Sequence, residues 1–177
     1  CHHMPMYVPT SQNDWPLMVD CSGLPFHGWV TIHLGPTGNG AKRLLSIAEV
    51  RAFSGITPPH PPQAPASSPS PPPFVGAPIS ILGQTMTAPM QGHGADKATD
   101  GDLSTPVVSN NVANPYVAVQ ISASASIGLV KVYNRNDAYQ YLMGTISVYA
   151  GASAGDTSTQ CGSAQDGSGG VGPFSFD

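Results

Sequence analysis

The sequence predicts an all-β protein, and three observations carry that expectation. Short runs alternate β-branched or aromatic residues with small or polar ones. Clusters of Gly, Asn, Ser and Pro punctuate those runs, and no stretch has the 3.6-residue apolar period of an amphipathic helix. Strands of this kind must bury one face each, which predicts a β-sandwich.

Taken in order, residues 1–20 read as irregular, interrupted by Pro5, Pro9 and Pro16. Residues 28–34 alternate and read as a strand, ended by the turn cluster at 35–40. Residues 43–53 form the next strand, with Leu45, Ile47, Val50 and Phe53 on a core face. The apolar spacing changes after Ile47, which predicts a bulge or bend near Ala48 and Glu49. Downstream, Val117–Ile121, Leu129–Tyr133 and Thr145–Tyr149 are strand-like. The small, polar stretch 151–172 reads as a long exposed loop around Cys161.

Between these groups, residues 57–78 hold ten of the nineteen prolines, interleaved with Ser and Ala. Contiguous prolines fix φ and remove backbone donors, so the stretch predicts a polyproline II spacer of up to roughly 70 Å at ~3.1 Å per residue. The chain thus divides into 1–55, a linker at 56–78, and 79–177. The first part reads like the closing portion of one β-sandwich and the last like the opening portion of a second, as in one period cut from a longer array. Whether the two parts complete each other, or each is completed by a neighbouring copy or an unseen repeat, the sequence leaves open. An unclosed half would expose strand edges.

Only 9% of residues are charged, so polar surface must come from Ser, Thr, Asn, Gln and Gly or from attached sugar. A formal charge of −4 argues against nucleic acid and anionic membranes as partners. No apolar run approaches the roughly 20 residues that span a bilayer. Three cysteines, Cys1, Cys21 and Cys161, point to an oxidising, extracellular setting with disulfides. Cys1 and Cys21 are placed to close a short loop. A metal role has no support in spacing: there is no CxxC, and the six histidines show no ligand pattern. Neither GxSxG nor HExxH occurs, and no enzyme is expected.

Four opening and three closing segments together resemble the discoidin-like family (coagulation factor V/VIII type C domains), including its fucose-binding lectins. They are Ala98-Thr-Asp-Gly-Asp102, Asn114-Pro-Tyr116 leading into Val117–Gln120, Ile127–Asp137, Ile146–Tyr149, and the closing segments Cys21–Gly23, Gly28–Ile32 and Leu44–Phe53. The resemblance implies a jelly-roll-like sandwich that binds ligands at loops on one end. It implies calcium held by Asp100 and Asp102, with Asn111 nearby, and by Glu49 with the Ala48 carbonyl; Lys97 stands where the family has Asn. It also implies glycan recognition by Arg135 and Asp137, with Asn110 near the position of the family's His and Leu142 at its second basic position. Tyr139 and Tyr141 would add an aromatic platform. Phe174–Asp177 is similar to Leu17–Asp20, which sets Cys161 in register with Cys1 and predicts a following cysteine as its partner.

The linker resembles the hydroxyproline-rich glycoproteins of plant and algal walls and flagellar surfaces. That resemblance implies hydroxylation and O-linked sugar on Pro58, Pro59, Pro61, Pro62, Pro69, Pro71, Pro72 and Pro73, and on Ser68 and Ser70. No Asn-x-Ser/Thr sequon exists, so any glycan is O-linked. The expected function is a structural extracellular glycoprotein, the repeat unit of a cell-surface or matrix fibre assembled from copies of itself. The alternative is a calcium-dependent carbohydrate-binding adhesion module.

Overall fold

The computed structural model describes residues 16–21, 28–35, 42–55, 76–122, 124–135 and 137–167. It is all-β, with ten strands: β1 (Pro16–Asp20), β2 (Trp29–Leu34), β3 (Ser46–Ile47), β4 (Glu49–Ser54), β5 (Ile81–Met86), β6 (Val107–Val108), β7 (Tyr116–Ile121), β8 (Ile127–Tyr133), β9 (Thr145–Gly151) and β10 (Thr159–Asp166). They form a three-stranded sheet, β1-β8-β4, a five-stranded sheet, β10-β9-β2-β7-β5, and the small pair β3-β6. Of the arrangements open to the sequence, the structure has the one in which two parts of the same chain complete each other. β2 lies between β7 and β9, and β8 lies between β1 and β4, antiparallel throughout.

Alternation decides which face is buried. Val30, Ile32 and Leu34 of β2 are at most 1% exposed. Val30 pairs with Val119 and Ala150, Ile32 with Val117 and Val148, and Leu34 with Ile146. These side chains meet Val50 of β4 and Val130 and Val132 of β8 in one cluster, so the two sheets share a core. A fully buried Val or Ile of this kind contributes about 1.5–3 kcal/mol.

The expected break near Ala48 is present. Ser46 and Ile47 pair with Val108 and Val107, after which the chain leaves β6 and Glu49 begins pairing with β8. The buried Ala48 marks the switch, its N–H donating to the Tyr133 carbonyl at 2.8 Å. After it, Val50 and Ala52 face the core, while Arg51 and Phe53 face outward. Phe53 therefore departs from its expected core position. On that outer face like charges stand opposite each other, Arg51 and Lys131. Each leans over a ring instead, Arg51 over Tyr133 at 4.9 Å and Lys131 over Phe53 at 5.0 Å.

The expected exposed loop around Cys161 is instead strand β10, and Cys161 is fully buried. Its pairing with Val148 and that of Gln160 with Tyr149 supply what its small, polar composition does not. Cys21 follows β1 at one edge of the three-stranded sheet, and Cys161 lies in β10 at one edge of the five-stranded sheet. The two are joined in a disulfide across 140 residues, with Cα atoms 4.7 Å apart. The pairing of Cys161 with a later cysteine, and that of Cys21 with Cys1, are thereby corrected: the sheet edges meet and leave each cysteine the other as its neighbour. Cys1 lies outside the described residues, as do the sugar-acceptor positions from Pro58 to Pro73.

The residues flanking the proline-rich stretch are described, and they touch. Ser54 donates its N–H to the Ala77 carbonyl at 2.9 Å, and Ile79 donates to Ala52 at 2.9 Å. The Ser54 hydroxyl accepts the Ala77 N–H at 3.2 Å. The two flanks of the stretch thus meet at the Ser54 end of β4.

The disulfide closes a loop of 140 residues, which restricts the unfolded chain. Replacing both partners, Cys21→Ser with Cys161→Ser, is expected to lower the unfolding free energy by about 2–5 kcal/mol in urea titrations. A loss well under 1 kcal/mol would show that the edge needs no staple.

Candidate functional site

The β4-β8 pairing carries the candidate residues to one end of the sandwich. Glu49 opens β4 opposite Tyr133, the last residue of β8. Its carboxylate is buried: Oε1 accepts from Arg51 Nε at 3.2 Å, and Oε2 accepts the Gly101 N–H at 3.1 Å. Burial pushes the Glu49 carboxyl above its ordinary value, against the hydrogen bonds from Arg51 and Gly101. Gly101 has φ +81°, a conformation glycine adopts without cost, so the Asp100-Gly101 turn and its contact with Glu49 depend on that residue.

The turn's own carboxylates face inward on the loop. Asp100 Oδ1 accepts the Asp102 N–H at 2.9 Å and Oδ2 the Thr105 hydroxyl at 2.7 Å. Asp102 Oδ1 accepts the Ser104 N–H at 2.9 Å and its hydroxyl at 2.6 Å. Desolvation acts to raise the Asp100 carboxyl, but the Thr105 and Asp102 donors and the Lys97 charge outweigh it and leave it lowered. The Ser104 hydroxyl and N–H lower Asp102. The Lys97 ammonium stands 3.7 Å from Asp100 Oδ2 and 3.5 Å from Asp96. The structure therefore brings Glu49, Ala48 and the Asp100–Asp102 turn into one neighbourhood. As arranged, both Glu49 oxygens, both Asp100 oxygens and Asp102 Oδ1 accept N–H or hydroxyl donors, and the Lys97 ammonium stands beside Asp100. Among the described residues no three His, Cys, Asp or Glu side chains converge.

Arg135 and Asp137 lie just beyond the end of β8. Arg135 Nε donates to Asp137 Oδ1 at 2.7 Å, and Nη2 donates to Oδ2. Its Nη1 reaches the Ser46 hydroxyl at 3.1 Å, which ties the loop to β3. The guanidinium lies 5.1 Å from the Tyr139 ring, and the Tyr139 N–H donates to Asp137 Oδ1 at 2.9 Å. The Arg135 hydrogen bonds hold the Asp137 carboxyl below its ordinary value, against desolvation. Arg135 thus builds the loop with all three nitrogen groups. Tyr139 and Tyr141 stay outside it, 53% and 58% exposed. Asn110 is exposed, its side-chain amide donating to the Pro89 carbonyl at 3.1 Å.

One patch escaped the sequence reading. On the outer face of the five-stranded sheet, His33 is stacked on Tyr116 at 6.4 Å and edge-on to Tyr149 at 6.4 Å. The loop after β9 folds over this face, and the Gly155 N–H donates to the buried Thr31 hydroxyl at 3.2 Å. The signal was available in alternation, since Thr31 and His33 take the odd positions of β2. Only the register shows that Tyr116 and Ser147 stand beside His33, and Tyr149 beside Thr31.

Comparison with family models, with curated proteins and with solved structures returned no match for this chain.

The pKa directions imply a pH dependence of opposite sign at the two kinds of carboxyl. A carboxyl raised in the folded state gives up stability as pH rises through the window above 4.5, whereas Asp100, Asp102 and Asp137 give it up as pH falls below 3.8. The stability of the wild type relative to Glu49→Gln should therefore fall as urea titrations move from about pH 4.5 to pH 7. A relative stability that rises over that window would mean that Arg51 and Gly101 outweigh burial.

Proposed function

We propose that the chain is a structural module of an extracellular glycoprotein. In this reading a disulfide-closed β-sandwich of discoidin-like type forms the body, and residues 56–75 form an O-glycosylated arm. Copies of the module assemble into a cell-surface or matrix fibre. The observation that carries the reading is the hydrogen-bonded contact of Ser54 with Ala77. A spacer between beads needs its ends on different bodies, whereas both ends here lie on one strand. Proline-rich sequence anchored in this way serves display and coating, and sugar on it supplies the hydrophilic surface that a chain with 9% charged residues lacks. A buried disulfide suits an oxidising compartment. Among the described residues no helix is long and apolar enough to cross a membrane.

A carbohydrate-binding adhesion module, calcium-dependent in the family the sequence resembles, is the second reading. The exposed Tyr139–Tyr141 pair favours it, because aromatic faces stack on sugars. The arrangement at Glu49 and Asp100 does not.

Peptide mass spectrometry of material from its native source separates the two. The structural reading predicts hydroxyproline and O-linked sugar on several of Pro58, Pro59, Pro61, Pro62, Pro69 and Pro71–Pro73, together with regular filaments in electron micrographs. Unmodified prolines on discrete monomers would contradict it and leave the adhesion module.

A further inference from the structure

Among the described residues three large apolar side chains are more than half exposed, Leu82, Tyr139 and Tyr141. The two tyrosines form a unit, with ring centroids 6.5 Å apart and planes inclined at 46°. The backbone beneath them is fixed. Asp137 holds the Tyr139 N–H, and Asn134 Nδ2 donates to the Gln140 carbonyl at 2.9 Å, between the two rings in sequence. The guanidinium under Tyr139 is already matched by the Asp137 carboxylate. The pair therefore offers a shallow, preorganised V of aromatic faces over a neutralised ion pair. Such a surface suits an uncharged, stiff ligand that loses little entropy on docking, and aromatic slots of this kind take polyproline II segments.

The proline-rich sequence of this chain has that character, and the residues that flank it lie at the other end of the body. Ser54 and Ile127 mark the end of the β4-β8 ladder where the arm is anchored, and Glu49 and Tyr133 mark the end where Arg135 and the tyrosines follow. The ends are about 20 Å apart, the length of a six-residue strand. About 20 residues anchored at both ends project at most about 30 Å at ~3.1 Å per residue, enough to cross onto an adjacent body.

We propose that Tyr139 and Tyr141 are the acceptor for the proline-rich arm, residues 56–75, of a neighbouring copy. Arm and acceptor at opposite ends make the contact heterologous, so that repetition extends a filament head to tail. The inference rests on the arm-and-body reading above and supplies its assembly contact.

Complementation between two full-length variants tests it. One variant carries Tyr139→Ala and Tyr141→Ala, so it has an arm and no acceptor. The other has residues 56–75 replaced by Gly/Ser of equal length, so it has an acceptor and no arm. In sedimentation velocity the wild type should grow with concentration, each variant alone should stay monomeric, and an equimolar mixture should form a one-to-one dimer. A synthetic peptide of residues 56–75 should bind the arm-less chain, and adding the tyrosine substitutions to that chain should weaken binding about tenfold or more. Circular dichroism matching wild type shows that each variant is folded. A mixture that stays monomeric overturns the proposal, and so does a tyrosine variant that still assembles. Wild type that is monomeric at every concentration overturns the head-to-tail contact in favour of docking within one copy. Glycan binding lost with the tyrosines, while the mixture stays monomeric, would assign the pair to sugar instead. Any of these failures beside glycosylated native filaments would remove this contact alone, whereas unmodified prolines on monomers would remove the structural reading itself.

Discussion

The structure depends on an interleaving of strands from the two sides of the proline-rich stretch. β2 can complete its hydrogen bonds only by lying between β7 and β9, and β8 only by lying between β1 and β4. Neither side holds a closed sheet without the other. Val30, Ile32 and Leu34 have no buried environment until the downstream strands arrive, and Val130 and Val132 have none until β1 and β4 do. Pairings so distant in sequence carry a large loop-closure cost. The disulfide between Cys21 and Cys161 removes part of that cost where the edges of the two sheets meet.

The same interleaving explains how the molecule separates its two ends. Because β4 and β8 run antiparallel, the residue that starts one lies beside the residue that ends the other. Glu49, the Asp100–Gly101 turn and the Arg135 loop therefore gather where β4 begins. The anchors of the arm gather where it ends, at Ser54, Ala77 and Ile127. Charge is spent within each group: Arg135 on Asp137 and Ser46, Arg51 on Glu49 and the Tyr133 ring, Lys97 on Asp96 and Asp100. Tyr139 and Tyr141 stay exposed at the Glu49 end.

Alternation made β2, β7, β8 and β9 legible, because each sets two or three apolar residues at alternate positions on its core face. The switch at Ala48 was legible for the same reason, as a shift in the spacing of Leu45, Ile47 and Val50. β10 was not, since Cys161 is the one large apolar residue in Thr159–Asp166 and its strand character comes from pairing with β9. β5 was hidden by a register shift between Ile81 and Gly83, which breaks its alternation. Phe53 was misplaced because the side of a strand is settled by the step at Ala48, not by hydrophobicity. At the candidate site, the pairing of Arg135 with Asp137 could be read from their adjacency, whereas Glu49 and Gly101 are 52 residues apart and meet only through the fold. The His33, Tyr116 and Tyr149 patch needed the register of three strands far apart in sequence.

In this structure the two parts close on each other within one chain. The direct measurement is disulfide mapping on protein refolded and reoxidised from an equal mixture of isotopically heavy and light chains. With closure inside one chain, the Cys21–Cys161 peptide pair appears only as heavy–heavy and light–light. Mixed heavy–light pairs would show that the sandwich is completed by a neighbour.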